Sequence, residues 1–135
     1  MAVTVTKFDH YEDMVLGGLD WDTNTLMLAL FTSSFTLDTA ETSFDNLTNE
    51  CTGTGYTAGG EAVSNVAKAS GVVTADPVAW AEVTVSARYA VLYTTATIDG
   101  VTNPVLLVYD FGSELTLSAI PWSFSWASNI LYQLT

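Results

Sequence analysis

A catalyst needs a nucleophile, a proton carrier or a metal cage, and the raw material for these is thin here: one His, one Cys, and three basic residues against fifteen acidic ones in 135. His10 stands beside Asp9 and Tyr11 at a short helical segment. A surface or capping role fits it better than general-base work, because no nucleophile-elbow pattern occurs in the chain. Cys51 has no intrachain mate, which rules out a disulfide framework and fits assembly in a reducing cytosol. Asp20, Asp22 and Asn24 reproduce the first three ligand positions of a calcium loop. That reading fails further on, where Thr25 stands in place of the required Gly and Phe31 in place of the required Glu, so the segment reads as a turn held by side-chain-to-backbone bonds.

Two other motifs lack their context. GTGYTA at 53–58 fits a loose dinucleotide fingerprint, but no buried strand leads into it and Gly59-Gly60 follow where a helix should begin, so it reads as a flexible loop. Asp-Phe-Gly at 110–112 lacks every companion element of a kinase and reads as a strand end with a glycine exit. Paired carboxylates could in principle hydrolyse a glycoside, but with fifteen acids some pairing arises by chance and no pair stands out. Trp122, Phe124 and Trp126 alternate with serines and put three large rings on one strand face. The expectation is core; an exposed stripe would suit stacking on sugar rings or an oligomer contact. Arg88, a lone guanidinium among acids, is expected to pair with a carboxylate, within the fold or across a subunit boundary.

The elements that would position these residues read as strands. Val3 and Val5 alternate with Thr4 and Thr6, the pattern of an edge strand or an N-terminal arm. Asp9 followed by Glu12 resembles a capping box, Gly17-Gly18 stop the helix, and Tyr11, Met14 and Val15 share a face that packs on a sheet. The apolar run at 25–32 has strand length and reads as a central strand buried on both sides. A polar connection follows over 33–60, with a short helical turn around Phe44 and Leu47, and long connections of this kind often bind. Strands are then expected at 62–69, 72–75, 83–94, 105–111, 115–120, 122–126 and 130–134, with a hairpin turn at Asp99-Gly100. Together these predict one all-β domain over 1–135, an antiparallel, jelly-roll-like β-sandwich with one or two short helices. Residues 1–8 form its edge strand or arm.

Composition narrows the partners. A net charge of -12 repels phosphate backbones and anionic lipid, and Lys7, Lys68 and Arg88 are scattered, so neither nucleic acid nor membrane is expected and a basic protein surface fits better. The first residues carry no cationic start and no apolar stretch of the kind an export signal needs, and the longest apolar runs fall short of a membrane span. No residue is assigned to catalysis, a cofactor or a metal, so the chain does not read as an enzyme.

Four stretches carry a resemblance: DWDTNTLMLALFTSSF at 20–35, TGTGYTAGGEA at 52–62, VTVSARYAVLY at 83–93 and VYDFG at 108–112. In this order they resemble a family of small virion proteins of tailed bacteriophages. The acidic turn with a Trp at 20–22 and the tail NILYQLT depart from the pattern. The resemblance implies a head decoration or cement protein, trimeric and all-β, made in the host cytoplasm and placed on the capsid surface with the major capsid protein as partner. Many symmetric copies bridging capsomers would then sum modest contacts into shell stabilisation. The expected contact residues are Val3, Val5 and Phe8 on the arm, Phe35, Phe44 and Tyr56 on the long connection, and Arg88. The alternative is a tail or fibre module binding host surface carbohydrate through its tryptophans.

Overall fold

The computed structural model describes residues 3–21, 23–70, 72–126 and 130–133. Asp22, one of the three calcium-like positions, lies outside them, as do 129 and 134–135 of the C-terminal tail. In chain order the elements are β1 (Thr4–Lys7), α1 (Tyr11–Leu16), β2 (Leu26–Phe31), a 3-10 turn (Phe44–Asn46), β3 (Glu61–Ala62), β4 (Ala67–Ala69), β5 (Val72–Thr74), β6 (Val78–Thr94), β7 (Thr97–Ile98), β8 (Val101–Thr102), β9 (Val105–Phe124) and β10 (Ile130–Gln133). The fold is all-β and antiparallel, a sandwich-like arrangement with one short helix and one 3-10 turn among the described residues.

Its spine is the pairing of β6 with β9, which runs from Tyr93↔Val105 to Val78↔Phe124. The near half of this ribbon carries β2 on one side and β1 on the other, and β3 adds outside β2, giving a five-stranded sheet in the order β1-β9-β6-β2-β3. A second sheet, β10-β5-β4, shares no strand with it. Side chains alternate faces along a strand. Leu28, Leu30, Ala90, Leu92, Leu107 and Tyr109 therefore share one face, where Tyr11, Met14, Trp21, Val73 and the inner side chains of the far ribbon cover them. Ala29, Phe31, Val91 and Val108 share the other, under Phe8 and Phe35 with Leu37, Phe44 and Leu47 at the margin. Burial on both faces explains why the β2 run needs no polar alternation.

The connection after β2 is a lid rather than a free loop. Its ends are tied by Thr32 N–H to Asn49 C=O at 3.0 Å and Cys51 N–H to Leu30 C=O at 2.9 Å. Its middle is zipped to the end of β8 by Ser43 Oγ to Thr102 C=O at 2.7 Å and Phe44 N–H to Asn103 C=O at 2.8 Å. Phe44 stacks on Tyr93 with ring centroids 4.0 Å apart. The expected helical turn is the 3-10 turn, capped by the Ser43 hydroxyl, which accepts the Asp45 N–H.

Several boundaries differ from those read in the sequence. The three strands expected at 105–111, 115–120 and 122–126 are one strand, β9, with Trp126 just beyond its end. The expected breaks are bulges: between Tyr89↔Asp110 and Ala87↔Leu115 four residues of β9 oppose Arg88, and Pro121 falls where β6 carries the extra residue between Trp80 and Val83. Gly112 and Pro121 are local turn signals, but a bulge accommodates both without ending the pairing. The Asp-Phe-Gly segment is thus mid-strand, with Asp110 Oδ1 accepting the Gly112 N–H at 2.8 Å. The strand expected at 62–69 splits into β3 and β4, and the one expected at 83–94 begins earlier, at Val78. The capping box does not form: the helix starts one residue late, so His10 holds the N-cap position and Glu12 pairs with Lys7 instead. The hairpin turn is as read, with φ of 50° at Asp99 and 79° at Gly100, the two positive values of a type I′ turn.

Candidate interaction surface

Among the described residues, the side chains singled out for reactive capacity are held in structural contacts. The ring of His10 reaches β9, its Nε2 2.7 Å from the Val105 carbonyl oxygen. A carbonyl only accepts, so Nε2 carries the hydrogen. Cys51 is buried and its thiol donates to the Ser86 carbonyl at 3.2 Å. Burial, then the charges of Glu50 and Glu114, push that thiol up to about 12, which withholds the thiolate that a nucleophile needs. Tyr56 donates its hydroxyl hydrogen to Glu50 at 2.7 Å and accepts the Leu30 N–H at 2.8 Å. Burial first, then the bond to Glu50, drives the phenol well above its ordinary range.

Arg88 finds its carboxylate inside the fold. Nε and Nη2 donate to the two oxygens of Asp110 at 3.1 and 3.4 Å, and this hydrogen bonding lowers the Asp110 carboxyl while raising the guanidinium. In the turn before β2, the Asn24 side-chain oxygen accepts the Asp20 N–H at 2.7 Å and the Asp20 carboxylate takes Lys68 Nζ at 2.9 Å. These two side chains are therefore turn and ion-pair groups. Among the described residues no three His, Cys, Asp or Glu side chains converge so as to hold a metal ion, and no helix is long and apolar enough to cross a membrane.

The glycines at 53–58 are packed, which corrects the flexible-loop reading. A Cβ on Gly53 would stand 1.8 Å from the Thr84 carbonyl oxygen, and one on Gly55 2.0 Å from that of Glu82. Thr84 N–H donates to Thr54 C=O at 2.9 Å. The segment runs along the edge of β6 that β2 leaves open and takes up its backbone groups, as an otherwise unpaired strand edge requires.

The aromatic stripe is core. Phe124 and Trp126 are buried, and the Trp126 indole donates to the Asp76 carbonyl at 3.0 Å. Trp122 is half-buried between Trp80 and Phe111, at centroid separations of 5.5 and 5.9 Å. Among the described residues this stripe offers no exposed row of rings for sugar stacking.

Of the residues expected to make contacts, Phe8, Phe35 and Tyr56 are buried within the protomer and Phe44 is half-buried in the lid. Val3 and Val5 face outward, 42% and 54% exposed. Two exposed apolar side chains went unnoticed in the sequence, Ile120 and Leu16, the latter 87% exposed. Leu16 sits off the Tyr11–Met14 face and directly before Gly17-Gly18, a local signal that could have marked it. It borders a cleft of about 470 Å³ between α1 and the β7–β8 hairpin, where His10, Asp13 and Asp99 supply the polar wall and Val101 part of the apolar one. No protein-family model, curated protein or solved structure matches this chain.

Proposed function

We propose that this chain is a non-enzymatic structural protein of a tailed-phage virion, a head decoration or cement protein that binds the outside of the capsid in many copies and stabilises it. The observation that carries the reading is where the exposed large apolar side chains lie. Among the described residues they are Val3 and Val5 at the outer strand β1, Leu16 at the end of α1 and Ile120 on the far ribbon. Val3 and Val5 lie together at an outer strand, and an apolar strand edge suits contact with another chain. The phage and capsid parts of the proposal rest on the sequence resemblance. The net charge of -12 favours a basic shell surface, and Leu16 beside Asp13 and Asp99 offers an apolar anchor with an acidic surround. The carbohydrate-binding alternative loses its support with the tryptophan stripe in the core.

The test is co-sedimentation with capsid shells of the phage that carries the gene. The chain should pellet with shells at a saturable ratio and raise the temperature at which they disrupt. Leu16→Glu, at a position too exposed to disturb folding, should weaken that binding at least tenfold, a loss of about 1.4 kcal/mol or more. A chain that stays in the supernatant at saturating shell concentration contradicts the proposal.

A further inference from the structure

We infer that β1 is a self-pairing edge, and that a second copy of this chain adds to it antiparallel about a two-fold axis at Val5, joining two five-stranded sheets into one. This goes beyond the decoration reading and holds whether or not the chain sits on a shell.

The backbone sets the geometry. In an antiparallel pair, alternate residues turn both their N–H and C=O toward the neighbouring strand. Phe8 N–H donates to Leu106 C=O at 3.1 Å, so Thr6 and Thr4 likewise face β9, and Val3 and Val5 direct their backbone groups away from it. Two such edges meeting about Val5 place Val5 opposite the partner's Val5 as a hydrogen-bonded pair, and Val3 opposite the partner's Lys7. Thr4 then stands opposite the partner's Thr6. The pairing sets Val5 against Val5 and Thr against Thr, cross-strand matches that stabilise sheets, with Val3 beside the aliphatic stem of the partner's Lys7.

This edge is only lightly guarded. Strand edges are usually blunted by prolines, bulges, charged side chains, above all Lys, or shortness, and β1 has four residues with Lys7 at its end, paired with Glu12. β3, at the opposite side of the sheet, has two residues, and the far length of β9 carries Pro121 and its bulges. β1 holds an unbroken register against β9 and contains no proline.

Charge selects the occupant. In a chain of net charge -12 most surfaces repel a copy of themselves, yet residues 1–8 hold no acid and one Lys. The self-matching register makes the contact isologous, so it closes as a pair. A four-residue strand buries far less than a standard interface, so the pair is weak, with a Kd of the order of 100 µM.

Sedimentation velocity on the purified full chain tests this. The mass should rise from 14.5 kDa toward twice that value as concentration rises from about 5 to about 500 µM, as mass action requires. Val5→Pro, which removes an outward N–H at an edge position that tolerates proline, and Val5→Asp should stay monomeric with unchanged circular dichroism. Val5→Cys, small and apolar, should be cross-linked to a covalent dimer by a short bis-maleimide, and this decides the matter should the other two variants not fold. A wild-type chain that stays monomeric or forms a trimer overturns the inference. So does a folded Val5→Pro or Val5→Asp that still dimerises, or a Val5→Cys that gives no cross-link.

Discussion

Cys51, Tyr56 and Tyr93 make the interior sensitive to alkali. Burial is the leading cause in each case, pushing the Cys51 thiol and the Tyr93 phenol up to about 12 and the Tyr56 phenol higher still. A raised folded pKa means the contribution is complete below the unfolded value, near 8.5 for a thiol and near 10 for a phenol. Above that the unfolded chain loses its proton while the folded chain keeps it, and stability falls as pH rises toward 12. The urea midpoint should therefore drop between pH 8 and pH 11, and Cys51→Ala should flatten the lower part of that slope. An unchanged midpoint would contradict the burial of these groups. Trp126→Ala should cost about 3–5 kcal/mol, the range for emptying a buried aromatic site, and half-buried Trp122→Ala clearly less; equal losses in chemical denaturation would refute the packing described. Single-residue roles were partly legible in the sequence. Arg88 among acids announced a carboxylate partner, but no local pattern names Asp110, because their meeting depends on the register of β6 against β9.

At the level of elements, the loop at 53–58 shows how glycines serve a distant strand. Gly55 has φ of +84° and its virtual Cβ meets a backbone oxygen of β6. Gly55→Ala should cost about 2–4 kcal/mol, combining left-handed strain with a clash that backbone cannot yield to. Gly100 has φ of +79° but open space around it, so Gly100→Ala should cost only about 1–2 kcal/mol. Thermal unfolding of the two variants checks the ordering, and a reversal would mean that the loop does not lie against β6. The sequence marked these glycines without telling packed from mobile, since the contact that constrains them lies some thirty positions away. Its periodicity did reveal β2, because an apolar run of strand length demands cover on both sides. It did not reveal that Phe35 and Phe44 supply that cover, being isolated rings in a polar stretch. For β9 the local signals misled: Gly112 and Pro121 look like terminators until a partner strand of matching length makes them bulges.

On the scale of the whole molecule, an acidic body exposes large apolar side chains at three places among the described residues: the β1 edge, Leu16 at the end of α1, and Ile120 on the far ribbon. We propose the first for another copy and the second for a basic shell surface, so variants should separate them. Val5→Pro should abolish pairing in solution and leave single-copy binding to shells in place, whereas Leu16→Glu should do the reverse. Binding through an acidic surround should also weaken as salt rises, because screening shortens the reach of surface charge to about 3 Å at 1 M; salt-independent sedimentation with shells would count against a basic partner. Fold class was the most legible property, since alternation, turn residues and strand spacing are all local. The surface roles were less so, because exposure is decided by the assembled molecule. An averaged cryo-electron microscopy map of the intact particles bears most directly on the proposed adhesion to a shell. It should place the five-stranded sheet of this chain on the outer face of the capsid at regular positions, and particles whose outer surface never carries it would contradict that role.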